Sequence, residues 1–365
     1  MTAIDQNTLR RIGRTGLTAH DPNRTCPGYL LYAPVAGDGA LYALDMEGRE
    51  VHRWDMPHPP GLWGYLLPNG NIFYSGKIKH DETWDRLPGW NAFKGGVMME
   101  VDWEGKVVWE HRDINHHHDS RRTEAGGAIY LTIEPIPHEL AREIQGGIHK
   151  PDPEPMWADV IVEVDNGGNR IWEWHAAEHL DPQVDKLSFN DHRAEWTHGN
   201  TVVPLSKNRI LLSFRNLSTI GILSKETGDF EWKFGPGILA QQHDPTLLEN
   251  GNILVFDNGA HRSDDPLTFS RVLEINPKNN EIIWSYQDRT PFHFFSPFVS
   301  GARRLPNGNT LITEGFFGRM FQVAPEGEVV WEYVNPHFHM SDRGYLTNGV
   351  FRATHIPPGT VSQLP

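Results

Sequence analysis

The sequence contains a single cysteine, Cys26, among its 365 residues. An intramolecular disulfide is therefore impossible, and nothing in the cysteine content requires an oxidising compartment. No run of about 18 apolar residues occurs anywhere, and the opening segment MTAIDQNTLRRIGRTG has none of the apolar character of a secretory signal. We expect a cytoplasmic protein that has no membrane partner.

Positive charge is also scarce. The chain carries 33 Lys and Arg against 47 Asp and Glu, which gives a formal net charge of −14. Nucleic acids and anionic membranes are bound by basic surfaces that replace counterions, so we expect neither as a partner. A local cluster of His and Arg can still bind a small anion.

Several catalytic motifs are missing as well. The sequence has no G-x-S-x-G elbow, no Walker loop, no G-x-G-x-x-G after a strand and no Cys-x-x-Cys pair. It therefore offers no support for a nucleotide cofactor or for serine-hydrolase chemistry.

The chain is rich in turn formers and aromatic residues, with 35 Gly, 27 Pro and 13 Trp. Six segments related to GEVVWEYV each place two short strands around a polar turn, which is typical of a β-hairpin. Their shared tryptophans are Trp54, Trp109, Trp172, Trp232, Trp284 and Trp331. A second hairpin, with turns such as LPNGN, precedes most of them, so a unit holds four strands in roughly 40 to 50 residues. This pattern predicts an all-β, six-bladed β-propeller with four-stranded blades, whose tryptophans pack between blades.

The two chain ends are predicted to close the ring. The first unit lacks an innermost strand, and the segment GYLTNGVFRATHI at 344–356 is suited to supply it, which removes open sheet edges. We predict a single propeller domain over 26–365, preceded by an N-terminal arm over 1–25. In the third blade, the segment IEPIPHELAREIQGG predicts a short inserted helix at 136–146, either a lid over the channel or a packing helix. The sequence leaves the oligomeric state open.

Three histidines occupy matching positions in the repeat. His118 and His243 each lie eight residues before the turn that follows the innermost strand, and His198 lies ten residues before its turn. Innermost strands line a propeller channel, so we predict that these residues converge at one mouth of it. Arg215 ends the second strand of the His198 blade and is predicted to reach the same mouth.

The remaining histidines have no matching position. We interpret His116 and His117 as neighbours of the site, and five others as loop residues: His192, His261, His293, His337 and His339. Asp119 and Asp244 directly follow His118 and His243. They are predicted either to orient the imidazoles or to satisfy backbone groups at the strand start.

Successive motifs along the chain resemble those of the bacterial arylsulfate sulfotransferases. They are HHHD, EWTHGN, SFRNLSTI, QQHDPTLLENGNILVFDNG, SGARRLPNGNTLITEG and EVVWEYVNP, and the similarity extends from about Tyr29 to Arg352. The resemblance implies a six-bladed propeller and a ping-pong transfer of a sulfuryl group from one phenolic sulfate to another phenol, without a cofactor. The expected partner is thus a small aromatic or anionic substrate.

The same resemblance assigns roles to individual residues. It implies that His243 is the nucleophile, and that His118, His198 and Arg215 hold sulfate oxygens or shuttle the phenol proton. Asn200, in the THGN motif, is expected to bind substrate together with Arg215 and His118. Neutral imidazole is a competent nucleophile near pH 7, and the planar guanidinium of Arg215 suits the charge on sulfuryl oxygens.

Two other classes of function use the same residues. His118, His198 and His243 fit a three-histidine site for one divalent metal ion in a lyase, hydrolase or oxygenase, with Arg215 anchoring a substrate carboxylate. The partner or base in such a site is predicted among Asp119, Asp244 and Glu195. The third hypothesis is a non-enzymatic propeller that binds a small anion or a partner protein.

Overall fold

The computed structural model describes residues 14–150, 155–263 and 265–364. Its main sheets are six antiparallel blades, each built on four strands that follow one another in the chain, apart from the closing strand of the first blade and one additional outer strand on the sixth. The predicted all-β, six-bladed propeller is confirmed. The helices in the described part of the chain are all short, and none of them is long and apolar enough to cross a membrane.

The blades are numbered 1 to 6 in chain order, and their strands are numbered from the channel outward. The innermost strands are Val350–Ile356, Pro60–Leu66, His117–Arg122, Gly199–Ser206, His243–Leu247 and Gly301–Arg304. The second strands are Tyr29–Pro34, Ile72–Lys77, Ala128–Pro135, Arg209–Phe214, Ile253–Asp257 and Thr310–Glu314. The third strands are Ala40–Asp45, Gly96–Val101, Trp157–Val164, Thr219–Ser224, Arg271–Asn276 and Arg319–Val323. The outermost strands are Glu50–Asp55, Val107–Arg112, Arg170–His175, Phe230–Phe234, Glu281–Tyr286 and Val329–Val334.

Both ends of the described chain join blade 6 to blade 1. Val350–Ile356 pairs antiparallel with Tyr29–Pro34 as the innermost strand of blade 1, which confirms the predicted ring closure. Near the other end, Gly16–His20 pairs with Val329–Val334 as a fifth strand on the outer edge of blade 6. Residues 1–13 of the predicted N-terminal arm lie outside the described residues.

The outer-strand tryptophans tie neighbouring blades together, as predicted. In five blades the indole N–H donates a hydrogen bond to the next blade, at the turn between its third and outermost strands. The pairs are Trp109 with Asn166 O, Trp172 with Lys225 O, Trp232 with Asn280 Oδ1, Trp284 with Pro325 O and Trp331 with Met46 O. In blade 1, Trp54 packs edge to face on Trp103, which lies in the equivalent turn of blade 2, with ring centroids 4.9 Å apart. These contacts explain why the chain repeats one hairpin six times.

Insertions between strands supply the remaining elements. The predicted helix of blade 3 is present at His138–Glu143, and it does not line the main cavity described below. The other short elements are the helices Trp90–Phe93 and Ala176–His179, the 3₁₀ helices Pro291–His293 and Gly315–Phe317, the parallel pair Gly146–Ile148 and Leu187–His192, and the hairpin His339–Met340 and Leu346–Thr347.

A fully buried arginine on the closing strand connects the innermost strands. The guanidinium of Arg352 lies 3.0 Å from Asp119 Oδ1 of blade 3 and 3.0 Å from Asp244 Oδ1 of blade 5. It also donates hydrogen bonds to Asn200 O and Thr201 Oγ1 of blade 4, at 2.6 and 2.8 Å. Burying three charges is tolerated only when each is paired and hydrogen-bonded.

Two further residues extend this network to the blades that remain. Trp63 of blade 2 donates its indole N–H to Asp119 Oδ1 at 3.1 Å, and its ring lies 4.8 Å from the Arg352 guanidinium. Arg303 of blade 6 donates to Asp244 Oδ1 at 2.8 Å. The two aspartates therefore hold the blades at the axis. They bind arginine rather than the neighbouring imidazoles, so the first alternative, that they orient the histidines, is wrong. Asp119 does satisfy a backbone group, because its Oδ2 accepts the N–H of Val202 at 2.9 Å.

We predict that Arg352→Met lowers the free energy of unfolding by about 3 to 5 kcal/mol, because it leaves the Asp119 and Asp244 carboxylates buried without their common cation. Urea denaturation followed by tryptophan fluorescence measures this change. The matched control is Arg209→Met, which removes the half-exposed pair with Glu231 on the outer face and should cost no more than about 1 kcal/mol. Equal losses in the two variants would contradict a dominant role for the axial network.

Candidate active site

A cavity of about 450 Å³ lies at the starts of the innermost strands of blades 3, 4 and 5. His118, His198, His243 and Arg215 all line it, so the structure brings these four predicted residues together. Its apolar wall includes Leu62, Pro88, Phe93, Phe298, Phe316 and Tyr345. A pocket with an apolar wall and a few polar groups is suited to an aromatic molecule that carries an anionic group.

Asn200, the fifth predicted residue, does not line this cavity. It is completely buried, and its side-chain amide donates a hydrogen bond to Gln242 O at 2.8 Å. Its side-chain oxygen accepts from Thr201 Oγ1 at 3.1 Å. These contacts give Asn200 a structural role between blades 4 and 5, one layer away from the cavity.

Backbone conformation directs the histidines into the cavity. His118 has φ of 48° and His198 has φ of 49°, and in blade 5 the left-handed residue is Asp244, with φ of 57°. Residues other than glycine rarely adopt this conformation, and it recurs at functional sites. In blades 3 and 5 the left-handed conformation occurs where two adjacent residues point to different places. The histidine lines the cavity, and the aspartate that follows it binds Arg352.

The surroundings of His243 define which ring nitrogen carries its proton. Nδ1 lies 2.8 Å from Asn258 Oδ1 and 3.2 Å from Gln241 O. The Asn258 amide group donates to Ser296 O and Val299 O, so the oxygen of Asn258 is the end that faces His243. Two acceptors at Nδ1 place the proton of the neutral ring there. Nε2 is then unprotonated.

His118 is held through a second histidine. Its Nδ1 lies 2.8 Å from His117 Nδ1, and His117 Nε2 lies 3.0 Å from Asp159 Oδ1. All three residues are buried. His117 does not line the cavity, and it links the cavity histidine to a buried carboxylate. Such a contact fixes the orientation of the His118 ring.

His198 has a carboxyl partner of its own. Its Nδ1 lies 2.7 Å from Glu195 Oε2. The ring centroids of His198 and His118 are 4.7 Å apart, and the Phe93 ring contacts both, at 4.6 and 4.7 Å. The two imidazoles from blades 3 and 4 thus share one aromatic wall.

Burial keeps the three cavity histidines neutral. It lowers the pKa of His198 to about 3, with a further contribution from the positive charge of Arg215. It also holds the pKa values of His118 and His243 well below the ordinary value, with added effects of His198 on His118 and of Arg215 on His243. The causes are loss of water around the charged ring and nearby positive charge. All three rings are therefore available as uncharged imidazole at neutral pH.

Arg215 is held in place by Asn216 and Asp191, and the sequence pattern did not predict either contact. Its Nη1 donates to Asn216 Oδ1 at 2.9 Å and lies 3.4 Å from Asp191 Oδ1. Asp191 also accepts a hydrogen bond from Gln241 Nε2 at 2.6 Å and lies 3.5 Å from His261 Nδ1. His261 lines the cavity, as does His192, although both are interpreted from the sequence only as loop residues. No repeat position marks them, so nothing in the pattern connects them to the site.

Within the three described ranges, no group of three or more His, Cys, Asp or Glu side chains is arranged to hold a metal ion. The Nδ1 atoms of the three cavity histidines are each occupied by a protein partner.

Residues 83–336 match the protein family described as Arylsulfotransferase (ASST), which is more than half of the chain. The chain belongs to the arylsulfotransferase family. The match includes His118, His198, Arg215 and His243, and it ends before Arg352. No curated protein matches this arylsulfotransferase-family chain at a significant level.

Solved structures similar to this arylsulfotransferase-family protein are distant in sequence. A protein of unknown function from Bacteroides caccae is 13% identical, with a TM-score of 0.54, over 90% of this chain and 98% of that one. A streptogramin B lyase is 13% identical, with a TM-score of 0.49, over 93% and 92% of the two chains. The WD40 propeller domain of Doa1 is 10% identical, with a TM-score of 0.45, over 96% and 97%. At such identity, the Bacteroides caccae match supports the fold alone.

We expect this arylsulfotransferase-family protein to lose stability as the pH falls below about 6.5. The pKa values of His116, His118, His198 and His243 are lowered in the folded state, so the unfolded chain binds more protons in this range. The slope that each histidine contributes approaches about 1.4 kcal/mol per pH unit as the pH falls well below 6.5. The raised pKa of Glu195 contributes a slope of opposite sign and similar size.

Urea denaturation at several pH values between 5.5 and 7.5 measures the combined slope. Averaged over this range, His118→Asn should reduce the slope by about 0.7 kcal/mol per pH unit, because a histidine of the unfolded chain is half-protonated at about pH 6.5. The exposed control His293→Asn should leave the slope unchanged. A free energy of unfolding that is flat below pH 6.5 would contradict the neutral buried histidines.

Proposed function

We propose that this protein transfers a sulfuryl group from a phenolic sulfate to an acceptor phenol, with His243 as the nucleophile. The observation that carries the proposal is the hydrogen bonding at His243 Nδ1, which leaves Nε2 unprotonated on a ring that lines the cavity. An uncharged imidazole with a free lone pair can attack the sulfur directly. Membership of the arylsulfotransferase family supports this chemistry.

The proposed reaction has two half-reactions. In the first, His243 Nε2 forms an N–S bond, the S–O bond to the donor phenol breaks, and the phenol oxygen takes up a proton as it leaves. In the second, an acceptor phenol forms a new S–O bond, the N–S bond breaks, and the acceptor's proton returns to the protein. Atoms and charges balance without a cofactor.

The other cavity residues have separate tasks in this proposal. Arg215 and His118 bind the sulfuryl oxygens, on which negative charge is concentrated during transfer. Arg215 is largely shielded, with 17% of its side chain exposed, and it is oriented by Asp191 and Asn216, so it need not reorganise as the reaction proceeds. His198 exchanges the phenol proton. The apolar wall around Phe93, Phe298 and Phe316 accommodates the aromatic ring of donor or acceptor.

We expect His243→Asn to lower sulfuryl transfer from 4-nitrophenyl sulfate to phenol by at least about 10³-fold, because the variant has no nucleophilic ring nitrogen. The assay measures release of 4-nitrophenolate and formation of phenyl sulfate. The matched control, His293→Asn, changes an exposed histidine outside the cavity and should keep full activity.

Mass spectrometry of protein mixed with donor alone should show one added sulfuryl group on the peptide that contains His243. Activity should also persist in the presence of a chelator. Chelator-sensitive activity that one divalent ion restores, without any sulfated histidine, would overturn the proposal in favour of a metal-dependent reaction.

A further inference from the structure

Glu195 is a buried acid whose oxygens are poorly supplied with hydrogen-bond donors. One oxygen, Oε2, lies 2.7 Å from His198 Nδ1. The other, Oε1, is buried and has no hydrogen-bond partner among the described residues. An ionised carboxylate removed from water needs several donors to offset its desolvation. The site therefore favours the protonated acid.

A second acid nearby reinforces this preference. Asp159 Oδ2 accepts the Gly199 N–H at 2.7 Å. Although burial raises the pKa of Asp159, hydrogen bonds from His117 and Thr197 bring it below its ordinary value. When two carboxyl groups share a buried site, ionisation of one disfavours ionisation of the other. Asp159 is the better supplied with donors, so Glu195 keeps its proton.

Charged and titratable groups surround Glu195 on several elements. Negative Asp159, on the third strand of blade 3, and Asp191, on the strand Leu187–His192, raise the pKa of Glu195. His117, on the innermost strand of blade 3, and Arg215, after the second strand of blade 4, lower it. Burial outweighs both effects and raises the pKa to about 8.

We propose that Glu195 stores the proton that is exchanged during sulfuryl transfer, with His198 as the group that passes it to the phenol oxygen. In its acid form Glu195 donates to Nδ1 of His198, which leaves an N–H at Nε2 of that ring. This inference rests on the proposed function, since it assigns the proton of the same reaction.

The proton balance closes over the two half-reactions. When the S–O bond of the donor breaks, the phenol oxygen takes the proton from His198 Nε2, and Glu195 gives its own proton to His198 Nδ1. Glu195 is then a carboxylate, and His243 carries the sulfuryl group. The acceptor phenol reverses these transfers: its proton goes to His198 Nε2, and the Nδ1 proton returns to Glu195. Glu195 acts through His198 and is thus a positioning and proton-storing residue.

Infrared spectroscopy tests the stored proton without relying on any activity. At pH 7 we expect the C=O stretch of a protonated carboxyl group, which disappears with a midpoint at about pH 8 and is missing in Glu195→Gln. The matched control is Glu134→Gln, which changes a second Glu–His pair: Glu134 Oε1 lies 2.9 Å from His175 Nδ1, outside the cavity. The band should persist in this control. A spectrum without it in the wild-type protein would overturn the inference.

A series of phenolic sulfates tests the use of the proton in catalysis. Glu195→Gln should lower transfer from phenyl sulfate by about 10²-fold or more, because the basic phenolate must be protonated as it leaves. Transfer from 4-nitrophenyl sulfate, with a more acidic leaving group, should change by about tenfold or less. A merely structural role of Glu195 would lower both rates equally, and this result would also overturn the inference.

Two readouts keep this inference separate from the proposed function. If wild-type protein transfers no sulfuryl group and His243 is never sulfated, the proposed function fails, whatever the infrared band shows. If transfer proceeds but the band is missing, only the inference about Glu195 fails. Should Glu195→Gln not fold, the wild-type rate of phenol release from phenyl sulfate in a single turnover takes its place. This rate should fall as the pH rises through about 8, and a rate that is constant up to pH 9 would overturn the inference.

Discussion

The pairing of Arg352 with Asp119 and Asp244 is the contact on which the rest of the molecule depends. A charge that is removed from water must find partners of opposite sign, and in this protein the partners come from different blades. Trp63, Thr201 and Arg303 complete the network, so that all six innermost strands contribute to it. Because each aspartate directly follows a cavity histidine, the same network that holds the propeller together also sets the position of His118 and His243.

Burial of the cavity histidines lowers the stability of the fold at acidic pH, but it keeps the rings in the uncharged form that can act as a nucleophile. Imidazoles that are held neutral inside the protein cost stability at low pH, yet neutrality is what gives a ring nitrogen its lone pair. The low dielectric also strengthens the attraction between Arg215 and an anionic group. Each cavity histidine has a different partner at Nδ1, namely His117, Glu195 or Asn258. Three chemically identical side chains therefore lie in three different environments.

Much of the site was accessible to reasoning from the sequence because propeller blades repeat. Equivalent positions in successive blades lie at the same height along the channel, so matched histidines had to converge. The partners of those histidines were not accessible in this way. Asp159 lies on the third strand of its blade, Asn258 directly follows the second strand of its blade, and Glu195 precedes an innermost strand, so none of them occupies a repeated position. Asn200 is the opposite case, because the sequence motif predicted it in the site. The structure shows instead that its side chain binds Gln242 O of the neighbouring blade.

The sequence by itself determined the number of blades, the closing strand and the set of His118, His198, Arg215 and His243. Turn residues and the alternation of apolar and polar residues in strands are local patterns of a few residues. Because the pattern recurs six times, it can be recognised in the sequence. Only the tertiary structure decided which nitrogen of His243 is protonated, which acid keeps its proton and where Arg352 finds its partners. These properties depend on distances between segments that are up to 233 residues apart, as for Arg352 and Asp119. Electrostatic energies inside a protein depend on such distances and on the exclusion of water. A local sequence pattern specifies neither of these.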